Sequence, residues 1–159
     1  MLGKKERHTL ADYVTGVEET STNKIVLYSS AQTGKTTELK QLCWELQQSG
    51  LYLPVSFEVR TNTKLKRDDL PESQYVDGRE VVLVIDALDE VNGQKYEDLL
   101  EEIGGYAYEH PEMKMVLSCR SNFRRERQLE LFTELFLEEL SIDDARDYAA
   151  NVRLIVIGL

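Results

Sequence analysis

Cysteine is nearly missing: Cys43 and Cys119 are the two among 159 residues. Their spacing matches neither a zinc-ligand pair nor a redox pair. Both lie in apolar segments, so they read as small buried hydrophobes in a reducing setting. Basic charge is also scarce, with 19 Lys and Arg against 29 Asp and Glu and a net charge of −10. That balance argues against gripping nucleic acid through a broad basic face, and no direct nucleic-acid partner is expected. Long apolar runs are absent, and the N-terminus MLGKKERHTL has no apolar signal core. A cytoplasmic location without a membrane partner is the expectation. The two histidines, His8 and His110, lie far apart and outside any motif, so both are expected at the surface and no Ser/His/Asp arrangement suggests itself. Neither an internal repeat nor a low-complexity tract is present.

What is present suits one globular domain: 42% hydrophobic and 30% charged residues, in a chain long enough to bury a core. The chain is organised around Lys24–Leu46, KIVLYSSAQTGKTTELKQLCWEL. Ile25, Val26 and Leu27 predict a buried strand. Leu39, Leu42, Cys43 and Leu46 fall on one face of a helix that Gly50 stops. Between strand and helix lies Ser30-Ala31-Gln32-Thr33-Gly34-Lys35-Thr36-Thr37. A loop ending in Gly-Lys-Thr at a helix start is the context of a phosphate-binding loop. Unpaired backbone N–H groups converge there and the helix dipole favours negative charge. Gly34 lets the backbone approach a phosphate, Lys35 reaches the β- and γ-phosphates, and the Thr36 hydroxyl can ligate Mg²⁺. The full pattern G-x-x-x-x-G-K-[ST] would have its first glycine where Ser29 stands. On the usual loop path Ser29 must take a conformation that glycine normally adopts.

Before this stretch, residues 1–23 read as a lead-in with a short helix over Thr9–Val17. After it, Leu51–Val59 predicts a strand that Pro54 places at a sheet edge. Residues 60–79 read as a loop with a helical turn. Glu80–Ile85 is continuously apolar from Val81, as in a parallel sheet buried on both faces, and ends at Asp86. An acid there points into the crevice where α/β folds bind ligands. Asn92-Gly93 predicts a turn, Lys95–Glu109 a helix stopped by Pro111, and Met113–Ser118 a third core strand ending at Cys119-Arg120. Arg120 is expected to face phosphates. Arg124, Arg125 and Arg127 make up the rest of the basic cluster. Glu134–Glu138 predicts a fifth strand, in competition with a helix over Glu126–Phe136, and Ser141 caps a final helix. The apolar Leu154–Leu159 reads as a strand, or as the start of an element continuing in a longer parent.

The order of elements predicts an α/β domain with a mostly parallel sheet. Its crevice would gather Gly34, Lys35 and Thr36 with Asp86, Asp89, Glu90 and Arg120. Asp86 and Thr36 would hold Mg²⁺, and Asp89 or Glu90 would position or activate water.

Three blocks carry a resemblance. YSSAQTGKTTELKQL resembles a Walker A loop and helix, VVLVIDALDEV a Walker B strand, and KMVLSCRSNFR a sensor strand ending in Ser/Thr-x-Arg. FLEELSIDDARDYAANV is similar to the strand and helix that close such a domain. The chain resembles the nucleotide-binding domain of the STAND class of P-loop NTPases, closest to its NACHT branch. The resemblance implies a three-layer sandwich with a five-stranded sheet in the order 5-1-4-3-2, a P-loop domain over 24–152 and a tail over 153–159. It implies phosphate contacts from residues 30–37, Mg²⁺ held by Thr36 and Asp86, a hydrolytic role for Asp89 beside Glu90, and a sensor role for Arg120. The ligand would be ATP or GTP with Mg²⁺, used as a signalling switch. Partners would be further copies of the chain or the C-terminal domains of a longer parent. Ser29 and Thr33 stand where such loops commonly carry glycine. Two other classes remain open: an interaction module that keeps the fold without turnover, and a P-loop phosphotransferase whose arginines cover the phosphates.

Overall fold

The computed structural model describes residues 9–16, 22–30, 35–59, 65–86, 91, 93–123, 129–137 and 156–158, with the backbone alone at 35, 93, 94, 123 and 156–158. In chain order the elements are α1 (Leu10–Thr15), β1 (Lys24–Ser29), α2 (Lys35–Ser49), β2 (Tyr52–Glu58), a 3₁₀ turn (Arg67–Asp69), β3 (Tyr75–Val76) and β4 (Arg79–Asp86). Then come α3 (Gly93–Glu109), β5 (Lys114–Arg120), a second 3₁₀ turn (Ser121–Phe123), β6 (Thr133–Leu137) and β7 (Val156–Gly158).

Among the described residues the strands form one sheet in the order β2-β4-β5-β1-β6-β7, with β3 paired to β4. Five neighbouring strands, β2, β4, β5, β1 and β6, are parallel. Counted among themselves in chain order and read from β6, they run 5-1-4-3-2. The expected five strands are extended by two short antiparallel ones, β3 beside β4 and β7 beside β6.

Side-chain alternation along each strand divides the core between the two faces of this sheet. Ile25, Leu27, Val82, Val84, Val116 and Leu135 pack with Leu39, Leu42 and Leu46 of α2 and with Leu10, Tyr13 and Val14 of α1. Val26, Tyr28, Leu83, Ile85, Met115 and Leu117 pack on the other face with Leu99, Leu100, Ile103 and Tyr106 of α3. All six residues of β1 are buried. The continuous apolar runs of β1, β4 and β5 follow from this double covering.

Several boundaries differ from expectation. Gly93, expected in a turn, is the first residue of α3. The stretch 60–79, expected as a loop with a helical turn, holds such a turn at Arg67–Asp69 and also contains β3, joined to β4 by Asp77-Gly78, both at positive φ. That dipeptide is the usual chemistry of a two-residue hairpin turn. The competing helix gives way to β6, because Thr133–Phe136 pair in parallel with Ile25–Tyr28 of β1. Cys119 is buried as expected, whereas Cys43 is half-buried. His110, expected at the surface, is half-buried, its ring against Tyr106 at 4.4 Å. His8, Val17, Arg124, Arg125, Arg127 and the helix expected from Ser141 lie outside the described residues. Among the described residues no helix is long and apolar enough to cross a membrane.

One buried charge ties the lower end of the sheet together. Lys24 Nζ donates to the carbonyls of His110 (2.9 Å), Pro111 (3.1 Å) and Met113, just past the end of α3. Its three donors are thereby used. Burial lowers its pKa to about 8, opposed by Glu112 and reinforced by Lys114. Lys24→Met should lower unfolding free energy by about 2 kcal/mol in urea titration, because three carbonyls lose their shared donor.

Candidate functional site

The parallel strands end together at one edge of the sheet, where loops leave toward the helices. On the face covered by α2, alternation brings Asp86, Ser118 and Arg120 to that edge, each in phase with the inward residues of its strand. Helix α2 begins at Lys35, so its first turn lies over the same edge.

Asp86 is the centre of the arrangement and is 8% exposed. Thr36 Oγ1 donates to Asp86 Oδ2 at 3.1 Å. Ser118 Oγ donates to Asp86 Oδ1. One carboxylate therefore links the first turn of α2, the end of β4 and the end of β5. Buried acids need such donors, since an unmet carboxylate costs several kcal/mol. In the sequence Ser118 is marked only by the Ser-x-Arg pattern that it forms with Arg120 at the end of β5.

Ser29 closes β1 as an ordinary strand residue. Among described non-glycine residues only Asp77 has positive φ, so Ser29 does not adopt a backbone conformation reserved for glycine. Its backbone carbonyl accepts from Ser121 Oγ at 3.3 Å, and its own buried hydroxyl has no partner among the described residues. Arg120 lies in register with Ser29 across the β1–β5 pair and is exposed. Ser30, Thr36 and Thr37 are exposed beside the corner. Ala31, Gln32, Thr33, Gly34, Asp89 and Glu90 lie outside the described residues, as does the side chain of Lys35.

A cavity of about 640 Å³ opens along the outer flank of α2, lined among others by Thr36, Lys40, Trp44, Ser56, Glu58 and Asp86. Thr36 and Asp86 thus present two oxygen donors to an open space. Among the described residues no group of three or more His, Cys, Asp or Glu could hold a metal. A cation between Thr36 and Asp86 would complete its shell from water and ligand oxygens. That is how Mg²⁺ commonly binds, with one or two protein oxygens plus phosphates, so the donor set fits Mg²⁺ rather than zinc or a caged Ca²⁺.

Compared with protein-family models the chain matches none, and no curated protein matches it either.

One turn into α2, Glu38 is 5% exposed. Burial, and secondarily Glu45, raises its pKa from 4.5 to about 7. The folded state therefore holds a proton there that the unfolded chain releases above pH 4.5. The stability that this group contributes is fully present below that pH and is lost as pH rises through 7. Glu38→Gln should raise unfolding free energy by about 1–3 kcal/mol at pH 8 and change it little near pH 4.5, as thermal melts across that range will read.

Proposed function

We propose that this chain is a nucleotide-binding domain of the P-loop NTPase kind, close to the NACHT branch of the STAND class, in which Mg²⁺ with ATP or GTP acts as a switch with slow hydrolysis. The observation that carries the reading is the hydrogen bond from Thr36 to Asp86. It joins the residue after Gly34-Lys35 to the acid that ends a buried parallel strand. A hydroxyl and a carboxylate so paired at a helix N-terminus match the requirements of a metal held against phosphates. The 5-1-4-3-2 order of the parallel strands supports the same reading.

In this scheme the first turn of α2 offers N–H groups to phosphate oxygens, and Lys35 adds a point charge. Thr36 and Asp86 would hold Mg²⁺, which when bound would neutralise phosphate charge. Arg120 reaches the terminal phosphate from the end of β5. Asp89, with Glu90 beside it, orients water. Nucleotide binding would then bias contacts with further copies of the chain or with other domains of a longer parent.

Calorimetric titration of Mg-ATP and Mg-GTP tests the reading. The wild type should bind one of them. Lys35→Ala should weaken binding by roughly 10–100-fold, the worth of a charge-assisted hydrogen bond to phosphate. Asp86→Asn should leave nucleotide binding that no longer responds to Mg²⁺. Silence at millimolar nucleotide would replace this reading with that of an inert interaction module.

A further inference from the structure

The cavity beside α2 holds a second carboxylate besides Asp86. Glu58 is the last residue of β2 and lies in register with Asp86 on the neighbouring strand. Their positions are one strand spacing apart, about 4.8 Å, and on the same face of the sheet. Glu58 is exposed, and it lines the cavity that Thr36 and Asp86 also line. Asp86 already accepts a hydrogen bond on each oxygen, from Thr36 and from Ser118. Among the described residues lining this cavity, Glu58 and Asp86 are the two carboxylates.

We propose that Glu58 is a catalytic residue of this domain, the base that takes the proton from the water attacking the terminal phosphate. The proposal rests on the P-loop reading. Phosphates held at the N-terminus of α2 lie over β1, and across the sheet from β1 come β5, β4 and then β2. The metal corner is at the end of β4. A nucleophile approaches phosphorus from the side away from the leaving group. For a triphosphate anchored over β1 and reaching the metal at β4, that side is the direction of β2. The cavity and Glu58 are both there. In the step, the water oxygen bonds to the terminal phosphorus and the bond from phosphorus to the bridging oxygen breaks. The nucleoside diphosphate leaves with the electron pair, and the proton goes to Glu58 and from there to solvent.

The experiment measures Mg-ATP binding by calorimetry and phosphate release by the full chain, for the wild type, Glu58→Gln, Glu58→Asp, Asp89→Asn and Glu90→Gln. Glu58→Gln should bind within about 2-fold of wild type with KM little changed, while kcat falls by about 10²–10⁴-fold, the range for loss of a general base. Glu58→Asp should recover part of that rate. A Glu58→Gln rate within about 3-fold of wild type overturns the proposal, and loss of turnover in Asp89→Asn or Glu90→Gln alone would assign the base to the segment after β4. A wild type that binds nucleotide without turnover overturns the role of Glu58 and leaves the binding reading standing. A wild type that does not bind overturns both.

Discussion

The constraint on which the site depends is the double burial of a parallel sheet. Helices α1 and α2 cover one face and α3 the other, so β1, β4 and β5 contribute apolar side chains in both directions. Parallel strands connected through such helices all end at one edge. Polar side chains are tolerated where the strands run out of cover. Asp86, Ser118 and Arg120 collect there for that reason, beside the first turn of α2. A carboxylate placed two residues earlier on β4, in place of Val84, would lie among Val82, Leu83 and Ile85, each fully buried.

Charges that do enter the interior are handled in different ways. Lys24 spends its three N–H groups on carbonyls beyond the end of α3, and so joins the start of β1 to the approach to β5. Asp86 is met by two hydroxyls. Glu38 is buried at the start of α2 with a second carboxylate, Glu45, on its side of the helix, and burial keeps it protonated toward neutral pH. Of the three, Asp86 is the one that lines the cavity beside α2.

Much of the architecture was legible in the residues. The runs at Ile25–Leu27, Val81–Ile85 and Met115–Leu117 are apolar without alternation, so their burial on both faces of a parallel sheet followed directly. Pro54 marked β2 as an edge strand, and β2 does end the sheet. Gly50 ends α2 in a left-handed conformation. The failures were local. Tyr75-Val76 is too short for a periodic signal, although Asp77-Gly78 beside it was a hairpin cue. At β6 the apolar pattern was ambiguous between strand and helix, and the decision came from an open edge of β1 that accepted it. Ser118 and Glu58 could not be ranked from sequence, because their significance is a matter of which strand lies next to which.

The sequence by itself determined the inventory: buried strands, an amphipathic helix opening at Lys35, an acid closing one strand and an arginine closing another. Local periodicity and turn chemistry suffice for that, since each depends on neighbours within a few residues. The tertiary structure alone decided the pairings: Thr36 with Asp86, 50 residues apart, Ser118 with Asp86, and Glu58 beside Asp86 in register. These depend on strand order and on the phase of side chains across the sheet. Such contacts arise when separate segments are buried against one another, and no property of either segment alone encodes them.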